Sequence, residues 1–181
     1  MTTKHATIMI VDEDASSRDS YSSYLDQEGY STITENNGKK ALDFITSTDQ
    51  DIHLIISDVT LPERNGYELC QEIKKNDNTR NIPFIFLSGK TSLEDKLKGY
   101  AHGGEDYICK PLDPQELTQK ICTIINKSNV AKNLKESLDE SNRTALQAMS
   151  YSGDLGQVLQ FYRNSMQADS FSTLAQYLFE T

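Results

Sequence analysis

The stretch His53-Leu54-Ile55-Ile56-Ser57-Asp58-Val59-Thr60-Leu61-Pro62 decides how this chain folds. Leu54, Ile55 and Ile56 are apolar on consecutive positions, the pattern of a strand covered on both faces, and Pro62 forces a turn just beyond. Asp58 is thereby placed at the carboxyl end of a buried strand. In open parallel sheets that rim is where ligands bind. A carboxylate there needs a partner, because burying it alone is expensive.

Working outward, the same pattern repeats. Ala6–Val11 reads as a β-favouring run that ends abruptly in Asp12-Glu13-Asp14. Tyr21, Tyr24 and Leu25 fall at helical spacing over 15–27, and Gly29 is a stop. A strand is predicted over 30–34, a helix over 37–46 with Ala41, Leu42 and Ile45 facing inward, and a helix over 66–75 with Leu69, Cys70 and Ile73 as its stripe. Ile82–Leu87 is a further buried strand before Ser88-Gly89, residues 92–100 form a short helix, and Tyr107-Ile108-Cys109 is a last strand before Lys110-Pro111. Pro114 opens the next helix.

Five alternations of strand and helix with short connections call for a parallel sheet with helices on both faces. The expected fold is a doubly wound, flavodoxin-like α/β domain of strand order 2-1-3-4-5, with its switch point between strands 1 and 3, followed by an α-helical extension. On that topology Asp12, Glu13, Asp58, Ser88 and Lys110 converge on one rim. Three carboxylates together raise one another's pKa unless a cation sits among them, and hard oxygens with open positions suit Mg²⁺.

Bulk composition excludes several classes. The chain of 181 residues has no run of about 18 apolar residues and no signal-peptide core, so a cytoplasmic protein without a membrane span is expected. Cys70, Cys109 and Cys122 are odd in number with no C-x-x-C spacing, which suggests neither disulfides nor zinc. Net charge is −9, with 13 basic against 21 acidic residues in 1–125 and 5 against 6 in 126–181. Neither part offers the basic stripe that a phosphate backbone needs, so no direct nucleic-acid binding is expected.

Val11-Asp12-Glu13-Asp14, Asp58-Val59-Thr60-Leu61-Pro62 followed by Asn65-Gly66, Ser88-Gly89, and Asp106-Tyr107-Ile108-Cys109-Lys110-Pro111 resemble the bacterial response-regulator receiver family. The resemblance covers roughly 5–127. It implies that Asp58 accepts a phosphoryl group from a histidine kinase or phosphotransfer protein, and that Asp12, Glu13, Asp58 and the carbonyl of Thr60 hold Mg²⁺. It implies further that Ser88 and Lys110 engage the new phosphoryl oxygens, and that Tyr107 is a switch aromatic turning inward as Ser88 moves, remodelling the face of helix 4, strand 5 and helix 5. The protein so implied is a signalling phospho-acceptor, not an enzyme of wider turnover. Glu13 stands where Asp is commoner, and Ser88 where Thr is frequent.

Two other readings compete. A receiver-like docking module would bind partners without phosphorylation, against which the intact Asp58, Ser88 and Lys110 argue. A metal-dependent phosphohydrolase would need a second acid two residues past its nucleophile, where this chain has Thr60.

The expected domain division is 1–127 and 128–181. In the second part Ala131, Leu134, Leu138, Ser141, Ala145 and Ala148 recur at steps of three and four, a weak coiled-coil seam that favours a homodimer. Gly153 and Gly156 are expected to interrupt the helix within 150–156, giving a helical hairpin with a last amphipathic piece over 170–179. The apolar Tyr177-Leu178-Phe179 suggests a chain that continues into a further output region.

Overall fold

A computed structural model of the chain describes residues 6–111 and 113–166. Strands β1 (Thr7–Val11), β2 (Ser31–Glu35), β3 (Leu54–Ser57), β4 (Phe84–Ser88) and β5 (Asp106–Cys109) alternate with helices α1 (Ala15–Gln27), α2 (Gly38–Ser47), α3 (Gly66–Lys75), α4 (Leu93–Ala101) and α5 (Pro114–Met166). All strand pairs are parallel, in the order β2-β1-β3-β4-β5, as the sequence pattern predicts.

Side chains alternate across the sheet, and each face has its own core. Met9, Val11, Ile55, Phe84, Phe86 and Tyr107 pack with Ala41 and Ile45 of α2 and with Leu69, Cys70 and Ile73 of α3. The intervening Ile8, Ile10, Leu54, Ile56, Ile85 and Ile108 pack with Leu25 of α1 and with Leu117, Ile121 and Ile125 of α5. Burial of the Cys70 thiol pushes its pKa up to about 12, so this cysteine is a packing residue.

Local chemistry sets the boundaries. Asp14, Asn37, Asn65 and Ser92 cap α1 to α4, each side chain accepting from backbone N–H groups of the first turn. Pairing in β4 begins at Phe84, two residues later than the pattern predicts. Pro83 has no N–H to give, and the Ile82 N–H turns back to the Thr79 carbonyl at 2.9 Å. The Phe84 N–H instead meets the Glu105 carboxylate, which Lys74 also reaches at 2.8 Å, tying α3 to the start of β4.

The expected break at Gly153 and Gly156 does not occur: α5 is helical through both to Met166. Two glycines cost only about 1 kcal/mol each, no proline intervenes in the segment, and neighbouring backbone hydrogen bonds hold the ladder. No turn of a hairpin therefore exists within 131–166, and the amphipathic piece over 170–179 lies outside the described residues. Chain contacts divide into two units, Met1–Val130 and Ala131–Thr181.

Candidate functional site

The parallel register carries the strand ends to one rim. Val11 stands opposite Ser57, so Asp12 and Asp58 leave adjacent strands side by side, and the Asp58 N–H donates to the Val11 carbonyl at 2.8 Å. Ser88 closes β4 and Lys110 follows β5, the Lys110 N–H donating to the Ser88 carbonyl at 2.8 Å.

Lys110 joins the two acids. Its ammonium donates to Asp12 Oδ2 at 2.5 Å and to Asp58 Oδ2 at 2.8 Å, with the two carboxylate side chains 4% and 15% exposed. Burial works to lower the Lys110 pKa, but hydrogen bonds to Asp12 and Asp58 outweigh it and hold the group above its ordinary value. The second oxygens are also engaged: Asp12 Oδ1 accepts from the Asp14 N–H at 2.9 Å, and Asp58 Oδ1 from the Thr60 N–H at 3.0 Å. Each carboxylate oxygen has two lone pairs, so each keeps one for a further partner.

The loop after Asp58 is held from three directions. A Cβ on Gly66 would stand 2.2 Å from the Asp58 carbonyl oxygen, so only glycine lets the start of α3 come this close to the strand end. Glu63 adopts a left-handed φ of 61°, and Asn37 Nδ2 donates to its carboxylate at 2.6 Å. A Cβ on Gly38 would meet the Arg64 carbonyl oxygen at 2.1 Å, which brings the start of α2 against the same loop. Sequence reasoning used Asn65-Gly66 only as a motif, and missed Asn37 and Glu63. Their signal was Asn37 as an N-cap, which says nothing about a contact 26 positions away.

Glu13 lies two residues past the end of β1. Its side chain is exposed, and among the described residues no three His, Cys, Asp or Glu side chains gather at metal-holding distance. The chain has left the strand by that point, and only the backbone is fixed: Arg18 Nη1 donates to the carbonyls of Asp12 and Glu13 at 2.6 and 3.0 Å. Arg18 is a further positioning residue that the sequence did not disclose. Asp12 and Asp58 are the two carboxylates that Lys110 brings together. Those two hard, anionic groups, already arranged around the positive charge of Lys110, are a donor set that fits Mg²⁺, with the exposed Thr60 next in the loop.

Ser88 is 1% exposed, and its hydroxyl accepts from the Lys90 N–H at 3.3 Å. Tyr107 already lies inward, 5% exposed, its ring 5.9 Å from that of Phe86, and its hydroxyl meets no hydrogen-bond partner among the described residues. Space for it comes from Gly99, whose Cβ would lie 2.9 Å from the Tyr107 ring. Nearby, Tyr67 donates to the Asp95 carbonyl at 3.1 Å under the Lys98 ammonium, and burial, then the Tyr107 phenol, pushes its pKa up.

The chain and its fold are similar to those of known proteins. Residues 8–122 match the model of the response regulator receiver domain, and the chain belongs to that family. It is 36% identical over 144 residues to the "Probable transcriptional regulator ycf29" of Pyropia yezoensis, covering 80% of this chain and 62% of that one. It is 32% identical over 120 residues to the response regulator SaeR of Staphylococcus aureus, covering 66% and 50%. The chain thus spans less than two thirds of the length of these relatives. Among solved structures, a CheY-like receiver domain protein of Methanospirillum hungatei aligns with a TM-score of 0.65 at 28% identity, over 70% of this chain and 98% of that one. The chemotaxis response regulator CheY4 of Vibrio cholerae aligns with 0.62 at 28%, over 66% and 98%. No helix among the described residues is long and apolar enough to cross a membrane.

Proposed function

We propose that the chain is the phosphorylated switch of a cytoplasmic two-component relay, with Asp58 as the acceptor. The observation that carries this reading is the Lys110 ammonium held between Asp12 and Asp58 on a half-buried strand end. An Asp58 oxygen attacks the phosphorus of a phosphohistidine on the kinase or phosphotransfer partner. The P–O bond forms as the P–N bond breaks, and the imidazole nitrogen leaves with the bonding pair. Phosphoryl transfer asks chiefly for positioning and charge stabilisation. Asp12, Asp58 and the Thr60 carbonyl, with Glu13 beside them, would hold Mg²⁺, and the ion when bound would supply positive charge to the transferring phosphoryl group. Lys110 exchanges its bond to Asp58 for one to the phosphoryl group, and the Ser88 hydroxyl donates to another oxygen.

The output is a change at Tyr107 and the face beside it, where α4 exposes Leu93, Leu97 and Tyr100. Tyr107 packs against Gly99 and Phe86, and Phe86 stands two residues before Ser88 on β4, so movement of Ser88 reaches the ring through that strand. A protein partner or a second copy, rather than DNA, takes up that change, in keeping with the net charge of −9. The relative named a probable transcriptional regulator is longer than the matched region, so what that name describes need not fall within it.

Incubation with Mg²⁺ and acetyl phosphate, read by intact mass, tests the reading. One phosphoryl group on the wild type, lost with Asp58→Asn and with EDTA, is expected. Mg²⁺ bound without any adduct overturns it in favour of a docking module. Steady release of phosphate from small phosphoesters overturns it in favour of a phosphohydrolase.

A further inference from the structure

Because α5 is unbroken, the spacing that begins at Ala131, Leu134 and Leu138 keeps its phase across Gly153 and Gly156 and arrives at Leu155, Leu159 and Tyr162. The seam therefore does not stop where the glycines stand. Leu134, Leu138, Leu155 and Leu159 are between 56% and 61% exposed. An unbroken helix has no turn by which to cover its own seam.

The period identifies what can cover it. A repeat of seven drifts by about 20° per heptad on a straight helix, or roughly 100° over the five heptads to Met166. A fixed globular face cannot follow that drift, whereas a second helix winding left-handed with the first can. At 1.5 Å per residue the seam is about 54 Å long, so its partner is a helix of similar length and period. This chain contains one.

Charge points to the same occupant. Between Ala131 and Met166, Lys132, Glu136, Asp139, Glu140, Arg143 and Asp154 stand away from the seam, Lys135 and Arg163 flank it, and no charge lies on it. Four of these are basic and four acidic, so the segment is neutral within a chain of net charge −9. Two copies repel through the rest of the molecule but not through this part.

We infer that the seam from Ala131 to Met166 binds a second copy of this chain as one continuous two-stranded coiled coil. This deepens the assembly part of the function proposed above and rests on nothing at the Asp58 site. The layers match by size in either direction of pairing. Leu134 and Leu138 near one end correspond to Leu155 and Leu159 near the other, and Ser141 and Ala145 between them let the helices approach closely.

Sedimentation equilibrium on the full chain without phosphodonor tests this. A dimer is expected whose Kd rises by about 100-fold or more with either Leu138→Glu or Leu159→Glu, and stays within about threefold with Gln147→Glu on the outer face. Two alanines inserted after Gly153 put the halves out of phase and weaken the dimer, while seven inserted residues restore it; circular dichroism checks that each variant stays helical. A wild type that is monomeric at 100 μM, roughly the scale of a weak complex, overturns the inference. So does a dimer that feels Leu138→Glu but neither Leu159→Glu nor the two-residue insertion, since its seam ends at the glycines. Phosphoryl uptake is read separately on the same samples. A monomer that is still phosphorylated removes the seam alone, and a dimer that takes up nothing removes only the Asp58 reading.

Discussion

In the unit that carries the sheet, Ile8, Met9, Ile55, Phe84 and Phe86 are wholly out of water, whereas in the second unit Leu134, Leu138, Leu155 and Leu159 keep more than half of their surface. The first unit closes on itself: every strand is paired and both faces of the sheet are covered by helices. The described part of the second, residues 131–166, is a single helix whose Leu134, Leu138, Leu155 and Leu159 are exposed. Stability in the first is internal, and the coiled coil inferred above makes that of the second conditional on assembly. A receiver needs a fixed frame to hold charges in place, and a relay needs a segment whose state can change.

The largest expected break between the two comes from removing a side chain in each. Phe86 is wedged among Tyr67, Phe84 and Tyr107 at ring separations of 5.2, 4.9 and 5.9 Å. Phe86→Ala is expected to cost about 3–5 kcal/mol of receiver stability. Leu134→Ala, at concentrations where the chain is monomeric, is expected to stay within about 0.5 kcal/mol. Urea unfolding followed by far-ultraviolet circular dichroism measures both. Equal losses would show that the second unit has an internal core after all.

Glycines sharpen the contrast because their roles invert between the units. Gly66→Ala drives a methyl into the Asp58 carbonyl oxygen, which sits 2.2 Å from the ideal Cβ. A loss of about 1–3 kcal/mol is expected, with slower phosphoryl uptake because the strand end must shift. Gly153 and Gly156 have nothing within 4 Å of their ideal Cβ positions. Gly153→Ala and Gly156→Ala should each stabilise the helix by about 1 kcal/mol, seen as slower hydrogen exchange confined to the second unit.

Those two glycines also mark where the sequence misleads. The five strands, their order and the acids at their ends were legible because hydrophobic period and turn residues are strong local signals, and Asp12, Asp58 and Lys110 meet as expected. The break at 150–156 was not real, because glycine is a modest penalty rather than a stop unless a turn or a capping contact adds to it. Glu13 could not be placed from sequence, since two residues past a strand the side-chain direction depends on the loop, here fixed by Arg18. Asn37 against Glu63 and Lys74 against Glu105 are contacts between distant segments, which no local pattern announces. The inward seat of Tyr107 depends on the missing Cβ of Gly99, visible as a glycine but not as a neighbour.

The smallest expected effect is electrostatic and belongs to the first unit alone. Burial disfavours the charged form of Lys110, and the bonds to Asp12 and Asp58 more than offset it, so the folded pKa lies above the ordinary value of 10.5. A group held above its unfolded pKa contributes stability that is fully present below that pKa and is lost as pH rises through the folded one. Receiver stability should therefore carry the full contribution of these bonds at neutral pH, with no pH dependence from them there, and lose it only on the alkaline side of about 10.5. Because desolvation opposes pairing, the fall should be shallow. Asp58→Asn removes one of the two anions and should shrink it further, while hydrogen exchange in 131–166, where the charged side chains among the described residues are exposed, should show no matching change. A matched loss of protection in that helix would mean that the second unit depends on the charge state of the first, and the separation drawn between a self-closed frame and an assembly-dependent helix would have to give way to coupling between them.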